Sequence, residues 1–548
     1  MKIIIVGGVA GGATAAARLR RLSEEHEIII FEKSNAVSFA NCGLPYHIGT
    51  VIESRDKLLL HTVQSLKSRY NLDVRLLSEV IAINNVQKTV TIKDYQMLSV
   101  YTESYDKLLL SPGAEAVRPP LEGIQLSGIY TLRNLSDMDR IMNQCLNKQQ
   151  FVIIGAGFIG LEIAENLKEI GKSVQIVELG NQALAPVDFD IASFIHQKAK
   201  QKEIIIHLGS GVSKFEKDGN HLKVFLANGL ELNTEVVILA IGVKPDVILA
   251  QKAGLQISQN GGIKVNEFLQ TSDPNIYAVG DAIELTHFIH QAKVLIPLAW
   301  SANRQARLVA DNIHYGNKTK YEGAIGTSIL KFFELSIAST GLNEKILKRN
   351  QISYRTIIVV KTQHASYFPG AKNILLKVLF DDKGRILGAQ AVGKEGVDKR
   401  IDIMATAIKA QMNIVDLQAI EIAYAPPFNS AKDLVNIVGY ASENILNKDF
   451  ETINYDLLED AMKSQDSCLL DVRTVSEYQN GHIPAAININ VDTLRDFLPT
   501  LDKNKKYIVY CQVGQRAYLA CKILRNNGFE AVSLNGGFFL WNTIFQQD

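Results

Sequence analysis

Two glycine-rich turns, at residues 7–12 and 155–160, constrain the fold more than any other feature, because each lies between a β-branched run and a helical stretch. Residues 3–6 read Ile-Ile-Ile-Val and break at Gly7-Gly8. An Ala-rich helix is expected over 13–21 and a second strand over 27–31, closed by Glu32. The grammar returns as a strand at 150–154, a turn, a helix at 161–170 and a strand at 173–177, closed by Glu178. Short uninterrupted apolar runs belong to strands buried on both faces of a parallel sheet. Strand, tight turn, helix and strand make one βαβ unit. Two such units imply an α/β chain with two Rossmann-like dinucleotide-binding domains.

Gly155-Ala156-Gly157-Phe158-Ile159-Gly160 is a complete G-x-G-x-x-G. Its glycines allow a tight turn and let a pyrophosphate approach the helix N-terminus, where N–H groups and the helix dipole favour an anion. Glu178 stands where a carboxylate accepts from a ribose 2′-hydroxyl and repels a 2′-phosphate, so NADH is expected over NADPH. The first turn departs from the pattern: Gly7-Gly8-Val9-Ala10-Gly11-Gly12 carries Val9 where the second glycine belongs. Glu32 still falls 20 positions after Gly12 (32 − 12), the place of a ribose ligand, and this turn is read as the FAD site.

Composition narrows the class. At roughly 150 residues per domain, 548 residues suggest three or four domains. With 47% hydrophobic and 21% charged residues the chain is neither disordered nor collagen-like. A net charge of +1 provides no global field for nucleic acid or an anionic membrane, so any anion site must be built locally. The longest apolar runs, such as 236–241, fall far short of a membrane span, and the N-terminal run is too short for a signal peptide. Five cysteines (Cys42, Cys145, Cys468, Cys511, Cys521), odd in number and without metal-ligand spacing, favour a reducing cytoplasm and no metal site.

Ser38-Phe39-Ala40-Asn41-Cys42-Gly43-Leu44-Pro45-Tyr46 lies between the two turns. Glutathione-reductase-like enzymes carry a second cysteine five positions after the first, where this chain has His47. Without a local dithiol, Cys42 must store an oxidising equivalent with an outside partner, as a mixed disulfide, a persulfide or a sulfenic acid. Thr271-Ser272-Asp273-Pro274-Asn275-Ile276-Tyr277-Ala278-Val279-Gly280-Asp281 resembles the second FAD motif of the two-dinucleotide-binding flavoprotein reductases, in which the aspartate binds the ribityl chain. Ser111-Pro112-Gly113-Ala114 resembles that family's crossing between FAD and NAD domains. Further cofactor contacts are expected at Lys33, Asn41, Val80, Phe158, Ile159, Gly242 and Ala299.

Residues 1 to about 440 resemble the coenzyme A-disulfide reductases and NADH-dependent persulfide reductases, a single-cysteine branch that also contains NADH oxidases and peroxidases. The resemblance implies that Thr14, Arg18, Arg21, Ser38 and Asn41 grip coenzyme A; Arg18, Arg20 and Arg21 form a local cationic patch suited to phosphate. Tyr367-Phe368-Pro369-Gly370 and Tyr424-Ala425-Pro426-Pro427-Phe428 match two loops that the family's second subunit brings over the active cysteine. The resemblance thus implies a homodimer in which Tyr367 and Tyr424 hydrogen-bond the substrate sulfur. Domain boundaries are expected at 1–112 with 246–322 (FAD), 113–245 (NADH) and 323–440 (dimerisation), followed by a polar linker at 441–452.

Residues 453–548 have their own strand–helix alternation. A strand at 507–510 opens into Cys511-Gln512-Val513-Gly514-Gln515-Arg516, and a helix is expected from Ala517. Cysteine and arginine bracketing a tight loop before a helix make a cradle of N–H groups for a sulfur anion and lower the thiol pKa. The segment resembles a rhodanese domain: four residues separate Cys511 from Arg516, whereas related phosphatases use five. Asp471, Arg473, His482 and Cys521 are read as structural.

The leading expectation is an FAD-dependent, NADH-consuming reductase of coenzyme A persulfide, polysulfide or coenzyme A disulfide. Cys42 is its redox cysteine, and Cys511 handles sulfane sulfur. Two alternatives stand beside it: an NADH oxidase or peroxidase using a Cys42 sulfenate, and a sulfurtransferase with a regulatory flavin module.

Overall fold

The structure is a computed structural model and describes residues 1–545. The chain divides into two compact units, one formed by Met1–Asn181 with Ile204–Gly326, the other by Gln182–Glu203 with the chain from Thr327 onward.

The first unit holds two parallel five-stranded sheets. One runs in the order Ile276–Ala278, Lys107–Leu110, Lys2–Val6, Glu27–Phe31 and Asp73–Arg75. The other runs Ile205–His207, Ser173–Val177, Gln150–Ile154, Val236–Leu239 and Ile129–Thr131. Ile3, Ile4 and Ile5 are fully buried in the first sheet, each contributing about 1.5–3 kcal/mol by leaving water. In both sheets the strand before a glycine turn is the central one, with neighbours on either side, so the turn opens at the switch point where doubly wound sheets bind ligands. Each sheet is accompanied by a three-stranded antiparallel meander, the strands Ser78–Asn84, Thr89–Asp94 and Ser99–Ser104 in one case and Val212–Asp218, His221–Leu226 and Glu231–Thr234 in the other.

In the second unit, five antiparallel strands run in the order Ser328–Phe332, Leu335–Gly341, Ile386–Gly393, Asn373–Phe380 and Arg355–Thr362. A further parallel sheet runs Thr452–Ile453, Glu530–Leu534, Lys506–Tyr510, Ser467–Asp471 and Ile487–Asn488. Its middle strand, Lys506–Tyr510, delivers Cys511 to the strand's C-terminal end. Among the described residues no helix is long and apolar enough to cross a membrane.

Several expectations need correction. The two nucleotide-turn helices begin one turn early, at Ala10 and Phe158, and take in the last glycines of each motif. A Cβ on Gly12 would stand 1.8 Å from the Gly7 carbonyl oxygen, and one on Gly160 2.0 Å from that of Gly155, so close approach rather than helix propensity places these glycines. The helix expected near 402–412 is Val397–Lys409. Residues 441–446 are not linker but the end of the helix Leu434–Leu446, which buries Val435, Val438, Ser442 and Ile445 on one stripe and is capped by Asp433. Residues 182–203 lie between two strands of the second parallel sheet and fall in the second compact unit. There the helix Phe189–Gln201 is anchored by Asp190 to Lys377 at 2.8 Å, both side chains 2% exposed.

Candidate active site

The two glycine turns share one geometry. Gly7 and Gly155 take left-handed φ values of +93° and +103°. The carboxylate closing the second strand then grips the turn. Glu32 accepts from the N–H groups of Gly8 at 2.8 Å and Ser34 at 2.9 Å. Glu178 accepts from Ala156 and Gly180, both at 2.8 Å. Neither helix has a side chain capping its first turn, leaving its N–H groups for an anion. A Cβ on Gly157 would meet nothing within 4 Å, so this glycine keeps an open surface over the turn, and Val9 occupies the matching N-cap position in the first turn. Gly242, at φ +101°, is similarly open. These residues fit two dinucleotides.

Some of the other expected cofactor residues pack against the first turn. A Cβ on Gly11 would lie 2.5 Å from the Ser111 Oγ and 3.0 Å from Val279, and one on Gly7 would lie 2.2 Å from the Ser111 carbonyl oxygen. Gly113 is left-handed at +75°, and the short antiparallel pair Ala114–Ala116 and Val243–Pro245 forms the crossing. Gly280-Asp281 forms a 3-10 turn after its strand; burial raises the Asp281 carboxyl pKa, with Arg133 opposing. Lys33 pairs with Asp246 at 3.3 Å, Val80 is buried in its meander strand, and Ala299 opens the helix Ala299–Tyr315.

Cys42 sits in a 3-10 turn, Asn41–Gly43, that leads into the short helix Leu44–Ile48. The residue reaches solvent, yet desolvation by the protein around the sulfur, then the carboxylates of Glu162 and Asp281, raise its thiol pKa; Arg133 acts in the opposite sense. Arg133 is a residue the sequence did not single out. Its Nε donates to the Ala114 carbonyl at 2.7 Å and its Nη2 to Asp281 at 3.4 Å, while its own carbonyl accepts from Asn41 at 3.3 Å. It joins the crossing, the second flavin motif and the cysteine turn. Glu162 was also missed. It lies one turn into the helix Phe158–Glu169, and burial followed by Glu165 pushes its carboxyl up to about 7. The available signal was an acidic residue among the Ile and Ala of an otherwise buried helix. Tyr46, desolvated beside the same carboxylates, is pushed up to about 12 and stays a neutral hydroxyl.

A cavity of about 170 Å³ opens against the helix Ala10–Leu22, lined by Thr14, Arg21 and Ser38 of the expected set together with His61 and Tyr70. Thr14 donates to Asn303 at 2.8 Å. Arg18 is drawn off to Asp311 at 2.7 Å. Arg20 leaves the expected cationic patch altogether: it is 5% exposed and donates to five backbone carbonyls, those of Tyr70, Ser23, Glu24, His26 and Asn71. A larger cavity of about 290 Å³, at Arg118, Tyr130 and Arg140, includes none of the expected residues.

In the second unit the hydroxyls of Tyr367 and Tyr424 meet at 2.9 Å, both residues exposed. Cys511 is buried, and its sulfur accepts from the Gly514 N–H at 3.1 Å. The helix after the loop starts at Gln515 rather than Ala517. Asp471 and Arg473 form a fully buried pair at 2.7 Å, His482 is half-buried and stacks on Tyr478, and Cys521 is fully buried.

Fold and turns define a two-dinucleotide oxidoreductase with an added α/β domain. The chain belongs to the pyridine nucleotide-disulphide oxidoreductases, an enzyme family whose description it matches over residues 1–306; it also matches that family's dimerisation domain over 327–434 and a rhodanese-like domain over 454–544. It is 38% identical over 447 residues to the coenzyme A disulfide reductase of Staphylococcus aureus (strain JH9), an alignment covering 81% of this chain and all of that one. The crystal structure of reduced Bacillus anthracis CoADR-RHD superposes with a TM-score of 0.97 at 46% identity, covering 100% of this chain and 98% of that one. A NAD-dependent persulfide reductase from A. fulgidus gives 0.93 at 34%, covering 99% and 100%. The family implies a flavin and a pyridine nucleotide, and its dimerisation domain suggests a homodimer.

Proposed function

We propose that the protein is an FAD-dependent, NADH-consuming reductase of coenzyme A persulfide, polysulfide or disulfide, with Cys42 as the redox cysteine and Cys511 as a carrier of sulfane sulfur. The observation that carries this reading is the single cysteine: Cys42 has no local thiol partner, whereas Thr14, Arg21 and Ser38 line one cavity in the same unit. Phosphate recognition there falls to Arg21, and His61 and Tyr70 offer polar and aromatic surface to an adenine or its phosphates.

When bound, FAD and NADH supply the two electrons that reopen a sulfur–sulfur bond on Cys42. The chain's own residues do the rest. The turns at Gly7–Gly12 and Gly155–Gly160 seat the pyrophosphates, Glu32 and Glu178 meet the riboses, and Asp281 meets the ribityl chain. Cys42, as thiolate, attacks the outer sulfur of a persulfide or polysulfide, or one sulfur of a disulfide. The S–S bond breaks, the remaining thiolate leaves, and Cys42 holds a persulfide or a mixed disulfide. Arg133 favours the Cys42 thiolate. Tyr367 and Tyr424, brought by the partner subunit of a homodimer, present one hydroxyl proton between them to the departing sulfur.

The relatives named as persulfide and coenzyme A disulfide reductases support this chemistry, as does the fusion of a rhodanese-like domain to a thiol reductase. Anaerobic NADH oxidation with coenzyme A persulfide or coenzyme A disulfide, with released sulfide assayed alongside, tests it. One sulfide per NADH with the persulfide as the better substrate is expected. Cys42→Ser should lose NADH-driven turnover yet keep flavin reduction by NADH, and full turnover in that variant would sink the mechanism.

A further inference from the structure

The loop around Cys511 would ordinarily owe its attraction for anions to Arg516; that arginine still interacts with the Cys511 thiol, but its charge is already paired with a carboxylate. Its Nη1 donates to Glu477 Oε2 at 2.7 Å and its Nη2 to Oε1 at 2.6 Å, a two-pronged pair. Glu477 is fixed in turn by the backbone N–H and hydroxyl of Thr474, both at 3.0 Å. The second arginine beside the loop, Arg473, is forked onto Asp471 and reaches Gln512 Oε1 at 3.2 Å. Two guanidinium charges are therefore matched by two carboxylates. The loop offers an incoming sulfur neutral donors, such as the Gly514 N–H, and its Cys511 and Gln512 carbonyls are held by the N–H groups of Phe538 and Phe539 at 2.8 and 2.9 Å.

We propose that Glu477 is a specificity-determining residue of the rhodanese-like site: by neutralising Arg516 it turns the Cys511 loop against dianionic sulfur donors such as thiosulfate and leaves it open to organic persulfides. The inference rests on the reading of Cys511 as a sulfane-sulfur carrier. With an organic persulfide R–S–SH, the Cys511 thiolate attacks the outer sulfur, the bond to R–S breaks, R–S⁻ leaves and Cys511 keeps the sulfur as Cys–S–SH. With thiosulfate the same attack expels sulfite, with no net redox change in either case. The thiosulfate reaction, however, brings two negative charges against a third, and the guanidinium that reaches the sulfur already shares its charge with Glu477.

The test is sulfur transfer to cyanide by the full-length holoenzyme, with thiosulfate and with cysteine persulfide as donors. Glu477→Gln keeps the size of the side chain and one acceptor for Arg516 while freeing the guanidinium charge. It should raise kcat/KM for thiosulfate about tenfold, through KM, and change that for cysteine persulfide less than twofold; Glu477→Asp should keep the original ratio. A parallel fall with both donors, the mark of a purely structural ion pair, overturns the proposal. So does an unchanged ratio. The unaltered enzyme provides a second measurement that requires no variant. Raised ionic strength screens the dianion and should increase kcat/KM for thiosulfate but not for cysteine persulfide, and an equal response overturns the proposal. If mass spectrometry finds no sulfur adduct on Cys511 with either donor, the carrier reading itself fails, and the proposal with it.

Discussion

The hydroxyls of Tyr367 and Tyr424 lie 2.9 Å apart although 57 residues separate them in sequence, and both residues are exposed. The bond raises the Tyr367 hydroxyl pKa above its ordinary value, so Tyr367 is protonated throughout the neutral range. One hydroxyl of the pair has to donate to the other, which leaves a single outward proton for a substrate sulfur.

A shared proton has a kinetic signature. Tyr367→Phe and Tyr424→Phe should each lower kcat with coenzyme A persulfide by about tenfold to a hundredfold, the range of one positioned proton donor. The double variant should be no worse than the weaker single, because the two act as a unit. Steady-state kinetics of the three variants measure this, and additive losses would mean the two hydroxyls act independently.

Glu162 makes the Cys42 thiol pH-sensitive in a particular direction. Its carboxyl, pushed up to about 7 by burial and by Glu165, is half ionised near neutrality, and the ionised form raises the Cys42 pKa. Glu162→Gln removes that charge, so the thiol should ionise at lower pH. The rate of Cys42 alkylation by iodoacetamide against pH should rise earlier in the variant, with the largest gain above pH 7, where Glu162 is charged in the native chain. Superimposed profiles would show that the carboxylate does not reach the sulfur.

The Glu178 carboxylate holds the Ala156 and Gly180 N–H groups of the second turn, and we propose that it also meets the ribose 2′-hydroxyl. Glu178→Ala should therefore lower kcat/KM for NADH by about tenfold or more, while the value for NADPH changes little or rises, because a 2′-phosphate no longer faces a carboxylate. Comparing the two cofactors in both proteins checks this.

Much of this arrangement was legible in the sequence, and the parts that were not share a physical cause. Strands such as Gln150–Ile154 and Ser173–Val177 matched the expected residues because an apolar run between glycine and charge has one reading. Cys42, Cys511 and the two tyrosines stood out by motif. Arg133 did not, because its value lies in three long-range contacts, to Asn41, Ala114 and Asp281, that no local pattern records. Arg20 was misread because an arginine on a helix normally faces water, whereas here it satisfies five carbonyls where segments meet. The helix end at 441–446 looked like linker because its exposed face is polar, and only the buried stripe of Val438, Ser442 and Ile445 reveals it.

Lys377 tests a buried charge cluster that no sequence pattern announces. Its ammonium, 2% exposed, lies 2.8 Å from Asp190, 3.1 Å from Asp188 and 3.1 Å from Glu344. Burial opposes its charge, but the three carboxylates outweigh burial and hold its pKa above the ordinary lysine value. Burial also raises the pKa of Asp190 and of Glu344. A carboxyl whose pKa is raised on folding contributes stability below its unfolded pKa and loses it as pH rises through the folded value. Lys377→Met removes the only cation those carboxylates share among the described contacts, so it should cost about 3–5 kcal/mol at pH 8, the cost of a buried pair broken from one side. The deficit should shrink as pH falls towards 5, because the stranded carboxyls can then be protonated. Urea unfolding of the full chain at the two pH values measures both quantities, and a deficit that grows on acidification would contradict the assignment of these carboxyls as the strained partners.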